Sequence, residues 1–242
     1  MQPQFIEQRS DQWFLQRKAR FTASEILNIC ESEQKLETAV YNKVYEAMMP
    51  DDVFLQIEQE RNMFPAPPLS WGIRYEDEAR LYFEQLTGKK VEQTGFFEYG
   101  RHSGGSSDGL ILEDNGEIEI KCPYTGNVHL RFMQMKNQKE LHDYSKYQAA
   151  GKQYYYQMQA NMFFKKTDYC IFFSYDPRLR EDYRSKILLI EPDKEVQQKI
   201  KDSIERASEM KVKLLNDLIK NARTKTNILS TKNNKRQSVL EG

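Results

Sequence analysis

Residues 105–122, GSSDGLILEDNGEIEIKC, limit what this chain can fold into more than any other stretch. Asp108 opens an apolar run, Gly109-Leu110-Ile111-Leu112. Glu113-Asp114-Asn115-Gly116 reads as a turn, and Glu117-Ile118-Glu119-Ile120-Lys121 then alternates polar with apolar. Asn-Gly between two short strand-like runs is a strong hairpin signal. Side chains two apart on a strand share a face, so Glu119 and Lys121 project together while Ile118 and Ile120 point the other way. The hairpin returns Asp108 toward the polar face. Two carboxylates and an ammonium then share one small volume, the set that a divalent metal and a water nucleophile require. The same alternation describes a half-buried strand with a solvated face, so the hairpin by itself leaves both readings open.

Other candidate groups lie along the chain. Ser10 caps a helix over 11–18, and Thr22-Ala23-Ser24-Glu25 has the form of a capping box with Ser24 in the first turn. Free N–H groups there favour an anion, and Arg17 reaches the same place if the intervening turn is tight. Alone, this is equally an ordinary capped helix with a surface Arg. Glu76, beside Asp77 and Glu78 on a helix, is a third carboxylate for a two-ion site. Gln157 and Gln159, among Tyr154, Tyr155, Tyr156 and Met158, fit either a water-holding role or a core stripe. His102, His129 and His142 lack metal-ligand spacing, and residues 113–117 lack the twelve-residue pattern of a calcium loop. No serine-nucleophile elbow, phosphate-cradling glycine loop or dinucleotide fingerprint occurs.

The rest of the sequence predicts helix over 34–62, a break at 64–68, and helix from Trp71-Gly72 to near Gly88. Then follow a strand over 91–99, the hairpin, an ambiguous 123–137, a helix over 140–165, and strands over 168–175 and 186–190. Val196, Ile200, Ile204, Ala207, Met210, Leu214 and Leu218 form one stripe of a long helix. Helices in front, strands in the centre and helices behind give an α/β or α+β domain. With 242 residues, 39% of them hydrophobic, the chain is long enough for one globular domain over 1–221. Residues 220–236 carry six basic side chains and no acid, which marks 222–242 as a flexible basic tail suited to phosphates or to solubility. The formal net charge is zero, so a nucleic-acid footprint is not visible in the sum; metal-binding acids would cancel basic groups. Three dispersed cysteines, Cys30, Cys122 and Cys170, argue for a reducing, cytoplasmic setting. No run approaches the roughly 20 apolar residues of a membrane span, and 1–13 has no apolar signal core.

Taken in order, several motifs carry a resemblance: Trp13, Arg17, Thr22-Ala23-Ser24, Trp71-Gly72-Ile73-Arg74-Tyr75-Glu76, Ser106-Ser107-Asp108-Gly109, Glu119-Ile120-Lys121-Cys122-Pro123, Gln157-Met158-Gln159 and Tyr175-Asp176-Pro177-Arg178. This set resembles the lambda-exonuclease-like, YqaJ-type viral recombinase nucleases of the PD-(D/E)xK superfamily, over about residues 8–195. Ser107 stands where the superfamily name has Pro, a departure that the carboxylate geometry tolerates. The resemblance implies a restriction-endonuclease-like core, a central mixed sheet flanked by helices. It also implies a Mg²⁺- or Mn²⁺-dependent exonuclease, with two ions per site, that degrades duplex DNA processively from 5′ ends. Asp108, Glu119, the Ile120 carbonyl and Glu76 would serve the metals, Lys121 the water and the phosphate, and Gln157 the nucleophile. Arg17, Ser24 and Ser106 would hold the 5′ phosphate. The partners implied are duplex DNA ends, a single-strand annealing protein and two further copies in a ring-shaped homotrimer, in the cytoplasm of a phage's bacterial host. A structure-specific or restriction-type endonuclease, and a non-catalytic DNA-binding protein, are the alternatives.

Overall fold

Strand β6 (Gly116–Lys121) is the middle strand of a five-stranded sheet. The computed structural model describes residues 6–144 and 151–240, with side chains to residue 222. β6 pairs antiparallel with β5 (Gly109–Ile111), placing Gly109 opposite Ile118. On its other side it runs parallel to β7 (Tyr169–Tyr175), with Glu119 opposite Phe172. β2 (Val91–Glu92) and β8 (Ser185–Ile190) are the edges of a mixed sheet in the order β2-β5-β6-β7-β8. The expected hairpin forms, and its turn places Asn115 at a φ of 44°, a left-handed conformation that Asn tolerates.

The alternation in β6 sends its two residue sets into different cores. Ile118 and Ile120 pack with Ile111, Phe173 and Tyr175 beneath Ala79 and Phe83 of helix α5 (Pro67–Thr87). The other face meets helix α8 (Gly151–Lys165), which joins Cys170, Phe172 and Ile190 in the larger core. Ile200, Ile204 and Ala207 of the C-terminal helix α10 (Lys194–Leu240) close that core, as the stripe predicts. Glu117 and Glu119 are fully buried, so the solvated-face reading of the hairpin is excluded. A strand covered on both faces is normally apolar throughout. Two carboxylates on one of its faces therefore demand a local reason.

A second sheet, in the order β1-β4-β3, joins β1 (Phe21–Thr22), β4 (Ser103–Gly105) and β3 (Phe97–Tyr99). The stretch 91–99 is thus not one strand. Between β2 and β3 the Thr94 hydroxyl donates to the Ser107 carbonyl (2.9 Å), and Gly95 lies against the backbone of Ile6, where a Cβ would meet its carbonyl at 2.7 Å. The chain turns there from one sheet to the other. Thr22 likewise pairs in β1 instead of capping a helix: its hydroxyl donates to the Glu25 carboxylate (3.0 Å), and a 3-10 turn (Ala23–Glu25) leads into α2 (Ile26–Glu31). Ser10 does cap α1 (Asp11–Arg17), accepting from the Trp13 N–H.

The expected helix over 34–62 is two, α3 (Glu33–Met48) and α4 (Asp51–Met63). Pro50 lacks the N–H that continuity requires, and Lys18 ties the junction by donating to the Met49 carbonyl and to Asp51, both at 2.5 Å. α5 begins inside the proline-rich break, because Pro is accepted in a first helical turn. The ambiguous 123–137 contains α6 (Gly126–Gln134). The helix over 140–165 appears as α7 (Gln138–Asp143) and α8, with 145–150 outside the described residues. A short α9 (Glu181–Arg184) precedes β8. α10 continues to Leu240, and nearly all side chains of the expected basic tail lie outside the described residues. Cys30, Cys122 and Cys170 are unpaired. Among the described residues no helix is long and apolar enough to cross a membrane.

Candidate active site

Asp108 is fastened to β6 at two points, immediately before β5 begins. Its N–H donates to the Ile118 carbonyl (3.2 Å), and its Oδ2 accepts from the Ile120 N–H (2.6 Å). Across the strand pair, Glu119 Oε1 accepts from Gln157 Nε2 of α8 (2.7 Å) and from Lys121 Nζ. Glu119 Oε2 is buried with no partner among the described residues. The Lys121 ammonium also lies 4.9 Å from the ring centre of Tyr154. Period-two geometry therefore aligns Glu119 with Lys121, and the hairpin register delivers Asp108 beside them.

Small residues make the approach possible. Gly105 shoulders the segment leading to Asp108 against α8 and the 3-10 turn. A Cβ there would collide with Asn161 Oδ1 and stand 2.9 Å from the Ala23 Cβ. Gly105→Ala is expected to cost about 1–3 kcal/mol by overpacking. A urea melt would measure it, and a midpoint equal to that of the unaltered protein would contradict the packing.

Charge is not balanced in this volume. Loss of solvation, followed by the nearby Glu119 charge, pushes the Asp108 carboxyl well above its ordinary pKa. Burial likewise raises Glu119, with Lys121 opposing the shift. Burial alone would lower the Lys121 pKa, but Glu119 and Asp108 outweigh it and raise the value, so the ammonium stays protonated. Two carboxylates thus face one cation, and one carboxylate oxygen is orphaned. That is an arrangement a divalent ion would neutralise. Among the described residues no three His, Cys, Asp or Glu side chains stand close enough together to hold a metal. The side-chain donors at hand are the oxygens of the two carboxylates, and Ile120 lines the same cavity. An all-oxygen set suits Mg²⁺ or Mn²⁺.

Glu76 of α5 lines the cavity too, and its charge contributes to the raised Asp108 and Glu119 values. Both its oxygens are engaged: Oε2 accepts from Arg9 (3.0 Å) and Oε1 from Arg80 (3.4 Å). Arg9 carries no signal in the sequence, because a lone Arg before a helix cap has no motif around it. The same cavity, of about 590 Å³, is also lined by Arg17, Ser24 and Ser106. Arg17 Nη2 donates to Ser24 Oγ (3.3 Å), and the guanidinium stacks 4.2 Å from the ring centre of Trp13. The structure therefore brings Arg17, Ser24, Glu76, Ser106, Asp108, Glu119, Ile120, Lys121 and Gln157 to one cavity, but not Gln159, and no complete capping box forms.

Three neighbouring groups serve the framework instead. Glu117 shares the face of Glu119 but does not line the cavity. Burial pushes its carboxyl up to about 8 against the pull of Lys165, whose own value burial lowers to about 8. Gln159 donates to the Glu191 carbonyl and accepts from the Asp193 N–H, both at 2.8 Å, so it ties α8 to the approach of α10. His129 is held between Ser174 Oγ (2.8 Å) and the Tyr183 carbonyl (2.9 Å), a satisfied core histidine.

A central mixed sheet with helices on both faces, carrying Glu119 and Lys121 on its middle strand and Asp108 just before the neighbouring one, is a restriction-endonuclease-like fold. The same fold occurs in an alkaline exonuclease, LHK-Exo, from Laribacter hongkongensis, with a TM-score of 0.70 and 22% identity over 89% of this chain and 99% of that one. LHK-Exo in complex with dAMP gives 0.72 at 21% identity, with the same shares covered. A phage-related exonuclease from Haemophilus somnus 129PT gives 0.61 at 15% identity, over 83% of this chain and 97% of that one. No curated protein matches the sequence. The profile of the YqaJ-like viral recombinase domain matches residues 12–169, and the chain belongs to that family.

Proposed function

We propose that this protein is a divalent-metal-dependent exodeoxyribonuclease that shortens duplex DNA from its 5′ ends. The observation that carries the reading is the joining, in one cavity, of Asp108, Glu119, Lys121 and Gln157 with the Arg17–Ser24–Ser106 group. The first set suits phosphodiester hydrolysis, and the second suits a terminal phosphate. Family membership and the exonuclease names of the structural neighbours support it, and dAMP is the kind of 5′-mononucleotide such cleavage releases.

Bound Mg²⁺ or Mn²⁺, two per site, would polarise the phosphate and the attacking water; Asp108, Glu119 and the Ile120 carbonyl would hold the ions, with Glu76 serving the second. Water attacks the phosphorus that joins the first and second nucleotides, and the 3′ oxygen of the first departs. Lys121, kept protonated by its carboxylate neighbours, is suited to stabilise charge on the pentavalent phosphate rather than to take a proton from water. Gln157 fixes the Glu119 carboxylate through its amide N–H. The cut leaves a 5′ phosphate on the shortened strand, which the Arg17 pocket receives after one inward step. Repeated steps make processive digestion the natural outcome. A homotrimeric ring around the duplex and a single-strand annealing protein as partner complete the proposal.

Arg17→Ala is expected to slow digestion of 5′-phosphorylated linear duplex by about tenfold or more, the loss of a charge-assisted contact. On 5′-hydroxyl ends the same change should have little effect. Rates on the two end types, measured beside a closed circular duplex, check the assignment. Nicking of the closed circle as fast as the linear duplex is digested would instead favour an endonuclease.

A further inference from the structure

The turn that follows Arg17 is held from outside by two helices, and its hydrogen bonds return to the pocket. Arg20 N–H donates to the Arg17 carbonyl (3.1 Å), and Ala19 between them has a φ of 59°, a left-handed conformation unusual for a residue with a side chain. Glu46 of α3 accepts from the Ala19 N–H (2.8 Å), while Lys211 of α10 donates to the Ala19 carbonyl. Both backbone polar groups of Ala19 are thus met by charged side chains, and Lys211 is 6% exposed.

Glu46 also belongs to a closed circuit. It accepts from Lys43 (3.0 Å), and Lys43 pairs with Glu25 (3.0 Å). Glu25 accepts from Thr22 (3.0 Å), whose hydroxyl bonds that of Ser24 (3.2 Å). Ser24 accepts from Arg17, two residues before Ala19. The circuit therefore fixes both members of the Arg17–Ser24 pair relative to each other. Lys211 latches it from a helix beyond the matched family domain, which ends at residue 169.

We propose that Glu46 and Lys211 are positioning residues of the 5′-phosphate pocket, setting the Arg17 guanidinium against Ser24 through the Ala19 turn. The proposal rests on the reading of Arg17, Ser24 and Ser106 as that pocket. A guanidinium displaced by a fraction of an ångström loses its aligned donors to a phosphate, so a change some distance from the ligand weakens end recognition.

The test is equilibrium binding of end-labelled duplexes in EDTA, where no turnover occurs, comparing 5′-phosphorylated with 5′-hydroxyl ends. Lys211→Met and Glu46→Ala should each reduce the phosphate advantage by about fivefold or more, while affinity for 5′-hydroxyl ends stays near that of the unaltered protein. Lys211→Arg, which keeps a charged donor, and Glu46→Gln, which keeps an acceptor for Ala19, should retain most of it. A purely structural role would lower both affinities together or neither. Unchanged phosphate advantage in Lys211→Met overturns the proposal even if Glu46→Ala does not fold. An unaltered protein with no phosphate advantage overturns the pocket itself, and the proposal with it.

Discussion

Lys121→Ala and Asp108→Ala should each lower the rate of duplex digestion by at least about 10³-fold, with the fold retained. Lys121→Ala removes a positive charge from the point where the transition state gathers negative charge, and Asp108→Ala removes a ligand of the ion that would neutralise it; preorganised electrostatics of this kind carries the largest share of such catalysis. Lys121 touches Glu119 and the Tyr154 ring, and Asp108 lines the same cavity while accepting from the Ile120 N–H, so both side chains belong to the cavity wall and neither to the apolar cores. Glu117→Gln provides the contrast. Glu117 lies two residues from Glu119 on the same face but away from the cavity, so this change should leave the rate within about tenfold, as for a residue that does not touch the reacting atoms. Single-turnover digestion of end-labelled linear duplex with Mg²⁺, alongside circular dichroism melts, measures both. Undiminished cleavage by either alanine variant would remove the assigned chemistry.

The site was legible because its chemistry is local in the chain. Asp108, Glu119 and Lys121 lie within fourteen residues, and one hairpin rule and one strand rule suffice to bring them together. Arg17 and Ser24 are nearly as close, and the tight turn they require is present. What escaped the sequence depends on distant contacts. Residues 91–99 have the composition of one strand, yet Ile6 and Ser107 divide them between two sheets. Thr22 has the pattern of a helix cap, yet β4 claims it by pairing Gly104 with it. Alternation in β6 cannot reveal that α8 covers its polar face, so the burial of Glu117 and the compensating Lys165 stay hidden. Arg9 and Lys211 acquire meaning only from Glu76 and Ala19, which are far from them in sequence.

The same electrostatics that favour catalysis should destabilise the metal-free protein, and Asp108→Asn isolates that cost. The amide introduced by this change would still offer a side-chain oxygen to the Ile120 N–H, so the hairpin geometry survives while one charge of a like-charged pair disappears. The Asp108 pKa is raised in the folded state, chiefly by loss of solvation and then by Glu119. A raised carboxyl means that the folded state binds more protons than the unfolded chain. Its stabilising contribution is therefore complete below the unfolded value near 3.9 and is lost as pH rises through the folded value. At pH 8 in EDTA, far above the unfolded value, the unaltered protein carries this penalty. Asp108→Asn should then be more stable by on the order of 1–3 kcal/mol, a melting increase of several degrees for a chain of this size. The difference should shrink toward zero by about pH 4. Adding Mg²⁺ or Mn²⁺ should reverse the order at pH 8, because the ion binds the folded carboxylates and stabilises only the protein that keeps both. Thermal melts of the two proteins at pH 8 and pH 4, with EDTA and with the metal, decide it. If Asp108→Asn melts lower in EDTA at pH 8, the carboxylates are not in conflict. If the metal stabilises both proteins equally, Asp108 is not a ligand.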